Sequence, residues 1–188
     1  MNKELKFTDN LQAVKKGIDI AGDFTKITVG PRGRNIIIDS QNVDHGMPEI
    51  TNDGVTILEN IFLKDRFANM GVKLAKECAR KTDKVAKDGT TTTTILLQAI
   101  VEEGTKVLQG SVSPIILADG IMHASKLIDE ELVKMAIPIS TDEMRKEVAF
   151  ISSENKEMAE VVAEVIKEVG DKGIVSFEET DKIGFLMK

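Results

Sequence analysis

Apolar residues recur at intervals of three and four over most of the 188 residues, and that spacing commits the chain to helices packed on one another. Phe67, Met70, Leu74 and Cys78 form one such set, Leu117, Ile121, Ala124, Ile128 and Leu132 a second, and Met158, Val162, Val165 and Val169 a third. Each set predicts a helix with one buried stripe. A further helix is expected over about Asp9 to Thr28, where Leu11, Val14, Ile18, Ile20 and Ala21 supply apolar contacts and Gly17 and Gly22 weaken the element. Strand signals are short: Asn35–Asp39, Glu49–Thr51 and Ile174–Phe177, the first two able to pair as a hairpin across the Gln41 to Pro48 loop. Lys3–Phe7 reads as an edge strand too short to stand without a partner chain.

A boundary is expected at Ala136–Ser140, where Pro138 ends a helical pattern and Ser140 or Thr141 caps the next. Two shorter helices follow, about Thr141 to Ile151 and Asn155 to Val169, then Gly170–Gly173 and the last strand signal. That strand lies close to Lys188 with no visible neighbour, so this end looks incomplete.

Composition narrows the function classes. A formal charge of -6 provides no basic field for nucleic acid, and no stretch reaches the roughly 18 apolar residues of a membrane span. The N-terminus has the features of neither a signal nor a transit peptide, which makes a cytoplasmic location the expectation. Cys78 is the only cysteine and falls at helical spacing from Leu74, as a small core residue does. His45 and His123 have no accompanying Cys/His cluster, which argues against protein-ligated zinc.

The chemistry concentrates at Asp88-Gly89-Thr90-Thr91-Thr92-Thr93-Thr94, directly ahead of the apolar run Ile95–Leu97. Glycine lets backbone approach a ligand, and threonines opening a helix set hydroxyls beside unpaired N–H groups at the positive end of the helix dipole, where anions settle. A carboxylate at Asp88 would repel phosphate unless a divalent cation lay between them, with the oxygen ligands Mg²⁺ prefers. Nucleotide plus magnesium is the functional reading, and an ordinary helix cap is the plain one. Five consecutive β-branched residues exceed what one cap needs.

Two other loops have compatible chemistry. Thr28-Val29-Gly30-Pro31-Arg32-Gly33-Arg34 joins a helix to a strand through a tight turn, and Thr51-Asn52-Asp53-Gly54-Val55-Thr56 leads into Ile57, Leu58 and Ile61. Each alone is a common turn or cap. Together they place Asp-Gly-(Val/Thr)-Thr twice at the mouth of a helix, giving one carboxylate to hold a metal and another to orient water. The chain lacks the G-x-x-x-x-G-K-[ST] loop, the G-x-G-x-x-G turn and the G-x-S-x-G elbow.

In order, Thr28–Asn35, Ile50–Thr56, Asn69-Met70-Gly71, Asp88–Thr92, Gln98-Ala99-Ile100 and Ser113-Pro114 resemble the N-terminal part of a group I chaperonin, from about Lys6 to Phe177. The resemblance implies a mainly α fold: residues 1–137 as the first segment of a helical equatorial domain with a small β-hairpin, and 138–188 as the start of an α/β intermediate domain. It implies ATP and Mg²⁺ as cofactors, with Thr28, Val29, Gly30, Pro31 and Asn52 lining the nucleotide. Asp88 would hold the metal, Gly89, Thr90, Thr91 and Thr92 would wrap the phosphates, and Asp53 would lie near the γ-phosphate as the possible water-positioning group. Implied partners are other chaperonin subunits in a ring, contacted partly through segments like Lys3–Phe7. Unfolded clients and a co-chaperonin would be reached through an apical domain that lies beyond this chain.

The departures carry their own expectations. Lys87 stands where the family usually has glycine; a left-handed backbone there costs about 1–2 kcal/mol, whereas its charge near phosphate works the other way. Asn52 replaces a lysine of many members, although asparagine also occurs. The returning intermediate segment that brings the water-activating aspartate is missing, which leaves ATP hydrolysis by this chain undecided. Beside the folding-chaperone reading stands a non-catalytic module that associates with full-length rings. A free-standing phosphotransferase is a third option, with no acceptor site to support it.

Overall fold

The computed structural model describes residues 10–30, 32–39, 48–170 and 173–176. Seven α-helices run through them: α1 (Asn10–Thr25), α2 (Gly54–Glu59), α3 (Arg66–Ala86), α4 (Thr90–Gln109), α5 (Pro114–Met135), α6 (Asp142–Ser153) and α7 (Lys156–Val169). A 3₁₀ turn, Lys26–Thr28, continues α1. Strands β1 (Ile36–Ile38) and β2 (Glu49–Thr51) form the expected antiparallel hairpin, with Ile37 opposite Ile50. The fold is the mainly helical, equatorial-type bundle anticipated above. Lys3–Phe7, Pro31, His45 and Phe177 lie outside the described residues.

By density of contacts the chain divides into two compact units, Met1–His123 and Ala124–Lys188, the division falling inside α5. In the first unit α1 packs on α3 and α4, and α2 fits among all three. Glycine and alanine dominate these contacts. A Cβ added at Gly17 would lie 1.8 Å from the Ala68 carbonyl oxygen, and one at Gly71 would lie 2.0 Å from that of Val14. The two backbones therefore meet directly, and Gly17, far from only weakening α1, creates the crossing. Ala21, Leu58, Ala75 and Ala79 complete the buried cluster.

This crossing corrects the expected stripes. On α3 the buried face is Ala68, Gly71, Val72, Ala75 and Ala79, whereas Met70 and Leu74 are 48% and 51% exposed and Cys78 is half-buried. The stripe is rotated because close approach selects small residues, while a periodicity count favours large ones. Leu11 on α1 is also exposed. On α5, Ile121, Ile128 and Leu132 are exposed and the helix has no buried residue.

In the second unit α6 and α7 pack together. Ala159 is buried, Met158, Val162 and Val165 are half-buried, and Val169 is exposed. Thr141 and Asn155 cap these helices, accepting from the Met144 N–H at 3.2 Å and the Met158 N–H at 3.0 Å. Ile174–Ser176 form no strand, contrary to expectation. A strand needs a ladder partner, and none reaches them among the described residues.

Candidate functional site

The mouth of α4 is built by an abrupt turn out of α3. Lys87 takes the left-handed conformation (φ 58°, ψ 15°), its N–H donating to the Asp83 carbonyl at 3.0 Å, and Gly89 is left-handed as well (φ 80°). The conditional expectation for Lys87 is thereby realised, with its cost of about 1–2 kcal/mol. Exposed Asp88 bonds to the adjacent backbone, one carboxylate oxygen accepting the Gly89 N–H at 2.6 Å.

Helices α2, α3, α6 and α7 each begin with a side chain that accepts a first-turn N–H: Asp53, Asp65, Thr141 and Asn155. At α4 the cap position is Gly89, which has no side chain to offer. The first N–H to bond backwards is that of Thr93, to Gly89 O at 2.9 Å. The N–H groups of Thr90, Thr91 and Thr92 thus stand at the positive end of a 20-residue helix without a protein cap.

The threonine run divides by role. Thr94 is fully buried and donates its hydroxyl to the Thr90 carbonyl at 3.0 Å. Thr82 donates its single hydroxyl proton to Cys78 O at 3.2 Å, so the 3.0 Å contact between Thr82 and Thr93 has Thr93 as donor. Thr93 and Thr94 therefore serve packing. Thr90 is buried, Thr91 half-buried and Thr92 exposed.

The structure brings the second Asp-Gly motif onto this mouth. A Cβ at Gly54 would lie 2.5 Å from Thr91 Oγ1, 3.0 Å from Thr90 Oγ1 and 3.0 Å from Thr91 N. The start of α2 is thus seated against the start of α4, with exposed Asp53 and Asn52 immediately before it. Asp53 Oδ2 accepts the Thr56 N–H at 2.7 Å, and Thr51 Oγ1 accepts the Asp53 N–H at 3.1 Å. Ionic and hydrogen-bonded links tie the last residue of α2 to α3: Arg80 forks onto the Glu59 carboxylate at 2.6 and 2.8 Å, and Lys76 donates to the Glu59 carbonyl at 2.9 Å.

The first loop is delivered by the 3₁₀ turn, which packs on α4. Thr28 donates its hydroxyl to Thr25 O at 2.9 Å, Gly30 is left-handed (φ 78°), and Gly33 and Arg34 close the loop onto Gly30 O and Ile27 O at 2.8 and 3.0 Å. Val29, Gly30, Arg32 and Arg34 are exposed. Sequence reasoning missed two supports of this arrangement, Thr82 and the Gln98 side chain. Gln98 stood in the sequence as part of the Gln98-Ala99-Ile100 motif and as a polar residue inside the apolar run Ile95–Ile100, neither of which gave its side chain a role. Among the described residues no three potential metal-ligating side chains cluster, and no helix is long and apolar enough to cross a membrane.

This helical bundle, with its Asp-Gly helix mouths, has a counterpart among known proteins. The profile of the TCP-1/cpn60 chaperonin family matches residues 22–185, and the chain belongs to that family. Among individual proteins it is similar to chaperonin GroEL of Acholeplasma laidlawii (strain PG-8A), at 40% identity over 181 residues. Those residues are 96% of this chain and 33% of that protein, so the chain spans about a third of its relative's length.

Proposed function

We propose that the chain is part of an ATP-dependent chaperonin subunit that assists protein folding within a ring, and that the mouth of α4 binds the phosphates of ATP with Mg²⁺. The observation that supports this most is the open first turn of α4, faced by Gly54 and flanked by two carboxylates. In this reading the N–H groups and hydroxyls of Gly89–Thr92 receive phosphate oxygens. Asp88 holds the cation, Asp53 lies toward the terminal phosphate, and Thr28–Pro31 and Asn52 line the rest of the nucleotide. A hard donor set of one or two carboxylates, completed by phosphate and water, suits Mg²⁺. When bound, the cation neutralises charge on the phosphate oxygens. In this reading residues to Ile137 form the equatorial segment and Pro138, just past the end of α5 at Met135, opens the intermediate one, whereas the division by contacts falls earlier, between His123 and Ala124.

Calorimetric titration of the full chain with ATP and Mg²⁺ tests the site. Saturable binding is expected, weakened about tenfold or more in Asp88→Ala, as loss of a charged ligand predicts. No binding, or equal binding by the variant, overturns it. A second reading, a non-catalytic module that joins full-length rings, is favoured by the exposed apolar side chains of α5, among them Ile115, Met122, Leu127 and Ile128. Co-purification with an intact chaperonin, unchanged by Asp88→Ala, would select it.

A further inference from the structure

We infer that Gln98, acting through Asp23 and Lys26, is a positioning clamp that sets the Thr28–Gly30 loop against the mouth of α4 and so governs affinity for the adenosine part of the nucleotide. The inference rests on the nucleotide reading above. Gln98 Nε2 donates to the Asp19 carbonyl at 3.2 Å and to Asp23 Oδ1 at 3.0 Å, which uses both amide protons on α1. The same Asp23 oxygen accepts from the Lys26 ammonium. Lys26 is the first residue of the 3₁₀ turn that ends at Thr28, with Val29 and Gly30 next. Three side chains therefore link the middle of α4 to the first residue of the turn that leads into the loop.

The same helix carries the phosphate cradle. Gln98 lies eight residues beyond Thr90, about 12 Å along one rigid rod. A clamp at that point fixes the distance between cradle and loop. The space for it is made by Gly22: a Cβ there would lie 2.4 Å from Gln98 Oε1, 2.6 Å from its Cδ and 3.1 Å from its Cβ. Filling this space shifts the whole Gln98 side chain, including its base. The Lys26–Asp23 pair is itself about half exposed and contributes little to stability, so the clamp acts on geometry.

The test titrates the full chain with ATP and, separately, with inorganic tripolyphosphate, each with Mg²⁺, for wild type, Gln98→Ala and Gly22→Ala. Tripolyphosphate meets only the cradle, whereas ATP also needs the loop. Both variants are expected to lose about fivefold in ATP affinity, the worth of a hydrogen bond, with tripolyphosphate affinity unchanged. Gly22→Ala is the stricter arm, because alanine raises helix propensity while displacing the amide, and a loss of ATP affinity there cannot come from a weaker helix. Equal losses for both ligands, or none, overturn the clamp and leave the nucleotide site standing. A wild-type chain that binds neither ligand overturns both.

Discussion

The crossing of α1 with α3 and the pairing of α6 with α7 are both helix–helix contacts, yet they are made from opposite materials. In the first, glycine and alanine bring backbones so close that an added Cβ would fall within about 2 Å of a carbonyl oxygen. In the second, Ala159 is the buried residue, and half-buried Met158, Val162 and Ile166 leave an open groove of about 740 Å³ that Val148 and Ala149 also line. Ion pairs lie on the same two helices: Lys146 with Glu160 at 2.6 Å, and Asp142 with Lys167 at 3.2 Å and with Arg145 at 3.1 Å. A contact between backbones has one geometry, whereas a contact between flexible side chains can shift and still hold.

The largest effect that can break this contrast is Gly71→Ala. Its Cβ would meet Val14 O and lie 2.9 Å from Ile18 N, so the crossing must open, at a cost of about 3 kcal/mol. Val162→Ala, removing half-buried methyls beside the groove, is expected to cost about 1 kcal/mol. Native-state hydrogen exchange, read separately on α1–α3 and α6–α7 amides, measures both, and equal losses would dissolve the distinction.

Next in size are two matched relaxations. Lys87 at the end of α3 and Glu154 at the end of α6 are the non-glycine residues with positive φ among the described residues, at 58° and 52°. Lys87→Gly and Glu154→Gly should each raise stability by about 1 kcal/mol, seen as a higher urea midpoint, because left-handed termini suit glycine. Similar gains would show that terminator strain is common to both units although their packing differs.

The smallest effect is that of acid. Lys167's hydrogen bond, then Arg145's, holds the Asp142 carboxyl below its ordinary range, and Lys146 does the same for Glu160. Folded values below unfolded ones mean that their contribution is present above about pH 4 and fades as pH falls through the lowered folded values. Protection of α6–α7 amides should therefore decline on acidification, and less so in 1 M salt, where such exposed pairs are already screened. Asp23, lowered by Lys26 and then Gln98, moves in the same direction in the first unit, but the uncharged α1–α3 crossing should keep its protection further into acid.

The element order was largely legible because its signals are local. Asp53, Thr141 and Asn155 announce helix starts by their own side chains, and the two isoleucine-bearing runs announce the hairpin. The repeated Asp-Gly pattern also marked two helix starts that the structure brings together, since Gly54 seats α2 on Thr90 and Thr91. What stayed hidden depends on a partner distant in sequence. Gly17 looks like a flaw in a helix until Ala68 is set against it, and Met70 and Leu74 look like core until smaller neighbours make the contact. Thr93 and Gln98 face bonds that no spacing rule contains, to Thr82 on α3 and to Asp23 on α1.

The threonine run has a consequence for how this chain can evolve. Five identical letters occupy environments that range from fully buried Thr94 to exposed Thr92, so individual exchanges can be mild where a hydroxyl has a stand-in. Losing or gaining one letter is another matter. It would turn everything downstream by about 100° around the α4 axis, moving Gln98 off α1 and reassigning every hydroxyl at once. Selection on this segment should therefore tolerate spelling changes and reject changes of length.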